Sequence, residues 1–206
     1  MNVRVLKRFV VYMAILTFVM FTVWALIRSF MNRPPGDYET EVCDIRLKDK
    51  LYDKAIQAAN TALEKTPNHR GAIMCKALVF ISQKMYPEAN EELNYLINFL
   101  EKNIQDDDLT GIGTLAAAYA NRGIIKDRKE NYEGALEDYL KAIKIDEEAV
   151  GGPGFGTVIL NYKFKSSSVK KRAIYIYEQL QLPANDRVLK IKALDEGQVM
   201  HKPGKL

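Results

Sequence analysis

The chain has 206 residues and a formal net charge of +4, and only two of its residues are histidine. The charge is unevenly distributed, since residues 1–36 sum to +5, residues 37–150 to −7 and residues 151–206 to +6. The basic end contains no recognisable nucleic-acid-binding module, and neither His69 nor His201 has a cysteine or carboxylate at metal-ligand spacing. We therefore expect no nucleic-acid partner, no metal, no cofactor, no small-molecule substrate and no catalytic residue.

A basic flank, residues 1–8, precedes an uncharged apolar stretch at residues 9–27. At about 1.5 Å per residue, such a helix is just long enough to cross a bilayer core of about 30 Å. This predicts a single transmembrane helix that acts as a signal anchor, followed by a linker at residues 28–35. A cleaved signal peptide is the alternative, because Val23-Trp24-Ala25 resembles a cleavage site. The apolar stretch is longer than the usual signal core, and Leu26 and Ile27 continue it past that site.

Positive charges flank the apolar stretch unequally, with Arg4, Lys7 and Arg8 before it against Arg28 and Arg33 after it. Basic residues favour the cytoplasmic side, whereas long downstream domains cross the membrane largely regardless of their charge. The expected arrangement is a single-pass protein of the inner (cytoplasmic) membrane, with a cytoplasmic amino terminus and a periplasmic body. The opposite orientation, with the body in the cytosol, stays open at this point.

One helix pattern occurs three times in the body, beginning at Tyr52, Tyr86 and Tyr132. The first interval is 34 residues, and the second is 46, which is the same period with twelve residues inserted. Repetition at this period predicts stacked helical hairpins, each of which buries its apolar face against its neighbours.

Written out from its presumed first position, the repeat gives the units 36–69, 70–103 and 116–149, with an insert at 104–115. These units resemble the tetratricopeptide family, which needs small residues where the two helices of a hairpin approach each other. Unit one lacks the large residue expected early in its first helix and has Glu39 instead. The residues at the close-approach positions are Cys43, Ala77 and Gly123 on the first helices, and Ala55, Ala62, Ala89, Leu96, Ala135 and Ala142 on the second helices.

After residue 150 the glycine-rich run GGPGFG at 151–156 breaks the helical pattern. Farther on, Ala173, Tyr177 and Leu180 have the spacing of a unit's second helix, which indicates a degenerate fourth hairpin. Asp186 is placed to cap a last short helix over 187–194, ahead of a basic tail. The sequence GTVILNYKF, which lies between the glycine-rich run and Ala173, also alternates like a strand. The predicted fold is all-α: one transmembrane helix, then a tetratricopeptide-like solenoid of about three to four hairpins with a C-terminal capping helix.

Two features of the repeats bear on local structure. Cys43 and Cys75 fall on the first helices of adjacent units, so either a disulfide or two buried thiols is open. The acidic run Asp106 to Asp108 lacks the ligand spacing of a calcium loop and predicts a helix start, where carboxylates accept hydrogen bonds from unpaired amides. The insert either extends the two flanking helices or forms a loop at the groove edge, and Gly111 and Gly113 favour at least a partial break.

In the tetratricopeptide family, the partner commonly lies in the concave groove formed by the first helices. The resemblance implies a groove with an apolar centre and acidic ends, which suits an apolar helix or extended segment with basic flanks. The groove positions so implied are Thr40, Asp44, Leu47, Met74, Leu78, Ile81, Ala117, Ala120, Ile124 and Asp127. The basic clamp with which one family variant grips a terminal carboxylate is absent, which argues against a chaperone-tail receptor.

The resulting functional hypothesis is a membrane-anchored scaffold or adaptor that mediates protein-protein interaction during assembly or stabilisation of a membrane-associated complex. The alternative is a permanent structural accessory subunit of a large membrane complex, bound through its transmembrane helix. An exported enzyme is a third class, and no sequence feature recommends it.

Overall fold

The computed structural model describes residues 3–31, 33–150, 169–191, 198 and 200. Within these residues the regular secondary structure is helical, and no strand is present. The expected all-α fold, with an apolar N-terminal helix ahead of a helical repeat-like body, is confirmed.

The first helix, α1, extends over Val3–Met31 and contains the predicted apolar stretch. Its portion Val3–Arg28 is long and apolar enough to cross a membrane, and none of that portion is buried against the rest of the protein. Arg28 lies over the ring of Trp24, 5.1 Å from its centroid, a pair that suits the interface between lipid and water. Because a signal sequence near the N-terminus would also meet these criteria of length and composition, α1 is a candidate membrane span.

Three helical hairpins follow α1, and the second helix of each hairpin packs against the first helix of the next. Their helices are α2 (Asp37–Lys48) with α3 (Tyr52–Lys65), α4 (Arg70–Ser82) with α5 (Tyr86–Asn103), and α6 (Leu109–Arg128) with α7 (Tyr132–Ile145). The remaining elements are a single turn, α8 (Glu147–Val150), a helix α9 (Val169–Leu180) that packs on α7, and a 3-10 turn at Ala184–Asp186.

The small residues predicted at the helix contacts are buried there. The clearest case is Gly123 on α6, where an added Cβ would lie 2.6 Å from two ring carbons of Tyr139 on α7. Carbon atoms do not approach that closely, so glycine sets the distance between these two helices. The alanines at the other contact positions, Ala55, Ala62, Ala77, Ala89, Ala135 and Ala142, are fully buried.

Each hairpin turns through one residue with left-handed backbone: Lys50, Lys84 and Glu130, with φ of 59°, 62° and 62°. In the first hairpin, the amide of Leu51 donates to the carbonyl of Arg46 at 2.8 Å, and the other two hairpins repeat this bond. These bonds form the Schellman arrangement that ends a helix by satisfying its last carbonyls. The three turns are therefore the same structure, used once in each hairpin.

A disulfide joins Cys43 on α2 to Cys75 on α4. Both cysteines are fully buried, in a small cluster with Val79 and alanines of α3. The α2 helix buries little else, since Thr40 and Cys43 are its only buried residues among those the structure describes. In place of the missing large residue, Glu39 forms a 2.7 Å ion pair with Lys65 of α3. The disulfide thus holds the first hairpin, which has the smallest apolar contact, against the second.

The insert differs in part from expectation. Residues 104–108 form the break between α5 and α6, whereas Gly111 and Gly113 lie inside α6, so the break predicted at the glycines is wrong. The predicted helix start is confirmed, because the Asp108 carboxylate accepts a hydrogen bond from the amide of Gly111 at 2.8 Å. The insert therefore lengthens α6 at its N-terminal end.

The capping helix predicted over 187–194 is not helical in its described part, residues 187–191. Hydrogen bonds that involve side chains replace the backbone hydrogen bonds of a helix there. Arg187 donates to the carbonyl of Leu182 at 2.8 Å, and the amide of Val188 donates to the side chain of Gln179 at 2.7 Å. Instead, α9 covers α7 and closes the stack. The glycine-rich break, the rest of the expected fourth hairpin and the strand-like stretch lie outside the described residues.

Candidate partner-binding face

The first helices of the three hairpins, α2, α4 and α6, contact one another and form a common face, called here the first-helix face. A cavity of about 1000 Å³ opens on this face between α2, the start of α4 and the start of α6. Thr40, Asp44 and Lys48 line it from α2, and Phe99 and Asn103 line it from the end of α5. Its wall combines charged and apolar side chains.

His69 holds the two sides of this cavity together and caps α4. Its Nδ1 accepts a hydrogen bond from the amide of Ala72 at 3.2 Å and lies 3.3 Å from the hydroxyl of Thr40. Because Nδ1 is an acceptor, the neutral ring carries its proton on Nε2, which lies 2.9 Å from the carboxylate of Asp37. The one histidine of the repeats is thus a structural cap that joins α2 to α4.

Two further ion pairs border the cavity. Arg33 pairs with Glu41 at 3.0 Å, and Arg70 pairs with Asp108. The hydrogen bond from Arg70, followed by that from the amide of Gly111, lowers the pKa of the Asp108 carboxyl below its ordinary value of 3.8.

The predicted groove residues lie in different environments. Thr40 and Asp44 line the cavity. Leu47 is partly buried and packs against both apolar clusters. The centre of the predicted groove lies in the core instead of on an open surface, in the cluster that α4 and α6 share with α5 and α7. The residues so buried, each at most 4 % exposed, are Met74, Leu78, Ile81, Ala117, Ala120 and Ile124.

Asp127, the predicted acidic end of the groove, is 4 % exposed and bonded to three side chains. Both its carboxylate oxygens accept from Arg172 of α9 at 2.7 Å, and one also accepts from Tyr139 at 3.2 Å and from Gln198 at 2.9 Å. Burial, together with the neighbouring Asp127, raises the pKa of the Tyr139 phenol well above its ordinary value. Asp127 therefore anchors the C-terminal part of this chain and is not an exposed acid.

A second buried carboxylate, Asp138 on α7, binds Arg122 at 2.7 Å and Lys126 at 2.8 Å, both on α6. Burial and a hydrogen bond to Glu101 raise the pKa of the nearby Tyr119 to about 12. The sequence does not predict the pairs of Asp127 and Asp138, because nothing in the periodicity distinguishes a buried acid from a solvated one. Arg172 is 45 residues from Asp127 and has no local signal.

No family model matches this chain. DnaJ homolog subfamily C member 7 of Mus musculus is 30 % identical over 106 residues, which cover 48 % of this chain and 21 % of that protein. The chain thus spans about a fifth of the length of this curated relative. This match and the all-helical body fit a tetratricopeptide-like family, and similarity of this kind points to protein-protein interaction in general.

Proposed function

We propose that this protein is a membrane-anchored scaffold that recruits a protein partner to a membrane-associated complex and acts by binding instead of catalysis. The observation that supports this most is the combination of α1, whose Val3–Arg28 portion is unburied and long enough to span a membrane, with hairpins that leave a cavity of about 1000 Å³ on the first-helix face. A helical stack anchored in this way holds its partner close to the bilayer.

We place the partner segment in the cavity, where Thr40, Asp44 and Lys48 face it, and not over the buried residues of α4. The test is purification of the full chain from membranes in mild detergent, with Asp44→Lys compared against Glu64→Lys on the exposed side of α3. We expect a stoichiometric partner with the wild type and Glu64→Lys that is lost with Asp44→Lys. Equal recovery from both variants would exclude the cavity as the site.

We propose a cytoplasmic amino terminus and a periplasmic body for this scaffold. The Cys43–Cys75 disulfide supports this, because such bonds persist in oxidising compartments. Protease added to spheroplasts is expected to digest the body of the full chain and to spare a cytoplasmic control protein. Digestion of the body only after membrane lysis would show the opposite orientation. A mature amino terminus at Leu26 would identify residues 1–25 as a cleaved signal.

A further inference from the structure

The C-terminal part of the chain contacts the first-helix face of the same molecule. Gln198 donates from Nε2 to the carboxylate of Asp127 at 2.9 Å and lies 3.0 Å from the hydroxyl of Tyr139. Met200 packs against the main apolar cluster, with its sulfur 4.0 Å from the hydroxyl of Ser82 at the end of α4. These two contacts lie where the C-terminal ends of α4 and α6 meet, at the opposite end of these helices from the cavity.

Asp127 and Tyr139 hold the side chain of Gln198 through hydrogen bonds from its amide. Asp127 and Tyr139 are 4 % and 0 % exposed, and Arg172 fixes the carboxylate with two hydrogen bonds of 2.7 Å. The remaining acceptor capacity of that carboxylate is used by the Gln198 amide and the Tyr139 hydroxyl. A charged acceptor held this rigidly selects a hydrogen-bond donor, and a hydrogen bond of this kind is stronger than one between neutral groups. Met200, two positions later, supplies the apolar contact.

The stretch that leads to these residues is attached through backbone and surface groups and through the side chain of Leu189, which packs against the main apolar cluster. Leu189 accepts a hydrogen bond from Arg172 through its carbonyl at 3.0 Å, and Val188 accepts one from Tyr175 at 2.6 Å. Lys190 pairs with Glu130 at the turn of the third hairpin, where both side chains are more than half exposed. Pairs this exposed contribute little, so Gln198, Met200 and the packed side chain of Leu189 provide the specific part of the attachment.

We infer that Ser82, Asp127 and Tyr139 form a peptide-binding subsite whose resident ligand is Gln198 with Met200 of the same chain, and that a partner enters it by displacing these two residues. The partner segment has the chemistry of the resident one: a neutral or basic hydrogen-bond donor for Asp127, followed two residues later by an unbranched apolar side chain. Only the displacement by a partner rests on the proposed function, because the contact within the chain exists without a partner.

A tethered ligand competes at an effective concentration in the millimolar range, so the wild type should bind a free copy of the segment poorly. The probe is a fluorescent peptide that copies residues 187–206, titrated with full-length protein in detergent. Gln198→Glu in the protein places a carboxylate against Asp127 and releases the tethered segment. We expect the peptide to bind Gln198→Glu at least tenfold more tightly than the wild type. Gln181→Glu, the same change at an exposed position after α9, should behave as the wild type does.

Equal affinity of the peptide for all three proteins, or binding to none, would overturn the inference. Met200→Glu is a second releasing variant that does not touch Asp127, and it should give the same gain. If both releasing variants fail to fold by circular dichroism, the segment is part of the core and the inference is also wrong. The result is independent of partner capture at the cavity, so the proposed function and this inference fail separately.

Discussion

At the scale of single residues, the left-handed turn positions are the plainest source of removable strain. Lys84 is exposed and has a φ of 62°. This conformation costs a residue with a Cβ roughly 1 kcal/mol. Lys84→Gly should therefore raise the free energy of unfolding by about 0.5–1 kcal/mol in urea titrations. Lys84→Ala keeps the Cβ and is the control, so an equal gain from alanine would show that the strain is not the cause.

Gly123 tests the closest helix contact. Gly123→Ala puts a methyl group 2.6 Å from the Tyr139 ring, which is itself fully buried and cannot move freely. We expect a loss of about 1–3 kcal/mol in the free energy of unfolding, as for other overpacked cores. Gly134→Ala is the comparison: it crowds only the end of the exposed Asn131 side chain, which caps α7 by accepting from the Gly134 amide at 3.1 Å, so its smaller loss is confined to that cap. Equal effects of the two changes would mean that α6 and α7 can separate at little cost.

The carboxylate of Asp108 predicts a pH dependence on the acid side. Its pKa is lower in the folded protein than the ordinary 3.8, mainly through Arg70, so its ionised form stabilises the fold above that value. The contribution is lost as the pH falls through the folded pKa. Asp108→Asn keeps a capping oxygen and removes the charge, and should cost less than about 1 kcal/mol at pH 7. Urea unfolding between pH 2 and 7 should show this difference disappearing in acid, and a constant difference would contradict the assignment.

At the scale of elements, the disulfide determines how firmly the first hairpin is held. It closes a sequence separation of 32 residues, for which chain entropy predicts a contribution of about 3–4 kcal/mol. Reduction should therefore increase amide hydrogen exchange in α2 and α3 while leaving α6 and α7 protected. Cys43→Ser with Cys75→Ser should reproduce this pattern in the absence of reductant. Uniform exchange across all hairpins would show that the stack unfolds as one unit.

The predictable elements are those specified by local pattern. Alanines at the period of the repeat specified the hairpins, and the carboxylate of Asp108 correctly marked the start of α6. Gly111 shows the limit of such reasoning, since it lies inside α6, where the close approach of the Asp108 carboxylate requires a glycine. The burial of the predicted groove centre and the partner of Asp127 depend on how separate helices meet, which no single segment encodes.

At the scale of the whole molecule, the basic end of the chain forms ion pairs with the acidic body. Lys170, Arg172 and Lys190 from the basic end pair with Glu147, Asp127 and Glu130 of the acidic body. The buried Asp127 pair differs from the two exposed ones. Removing Arg172 would take a cation away from the buried Asp127 carboxylate and lower the free energy of unfolding by about 3–5 kcal/mol. Thermal unfolding of Arg172→Met should therefore show a large loss, whereas Lys170→Met should have little effect. Equal shifts would contradict the distinction between buried and exposed pairs.

The central claim is that a membrane-anchored stack presents the cavity on its first-helix face to a partner, and site-specific photocrosslinking in intact cells tests it most directly. A photoreactive residue replaces Lys48, which lines the cavity, or Lys54, which lies on α3 outside it. The account predicts one crosslinked species of defined mass from Lys48, confined to the membrane fraction, and none from Lys54. Equal crosslinking from the two positions, or a crosslink from Lys54 alone, would contradict it.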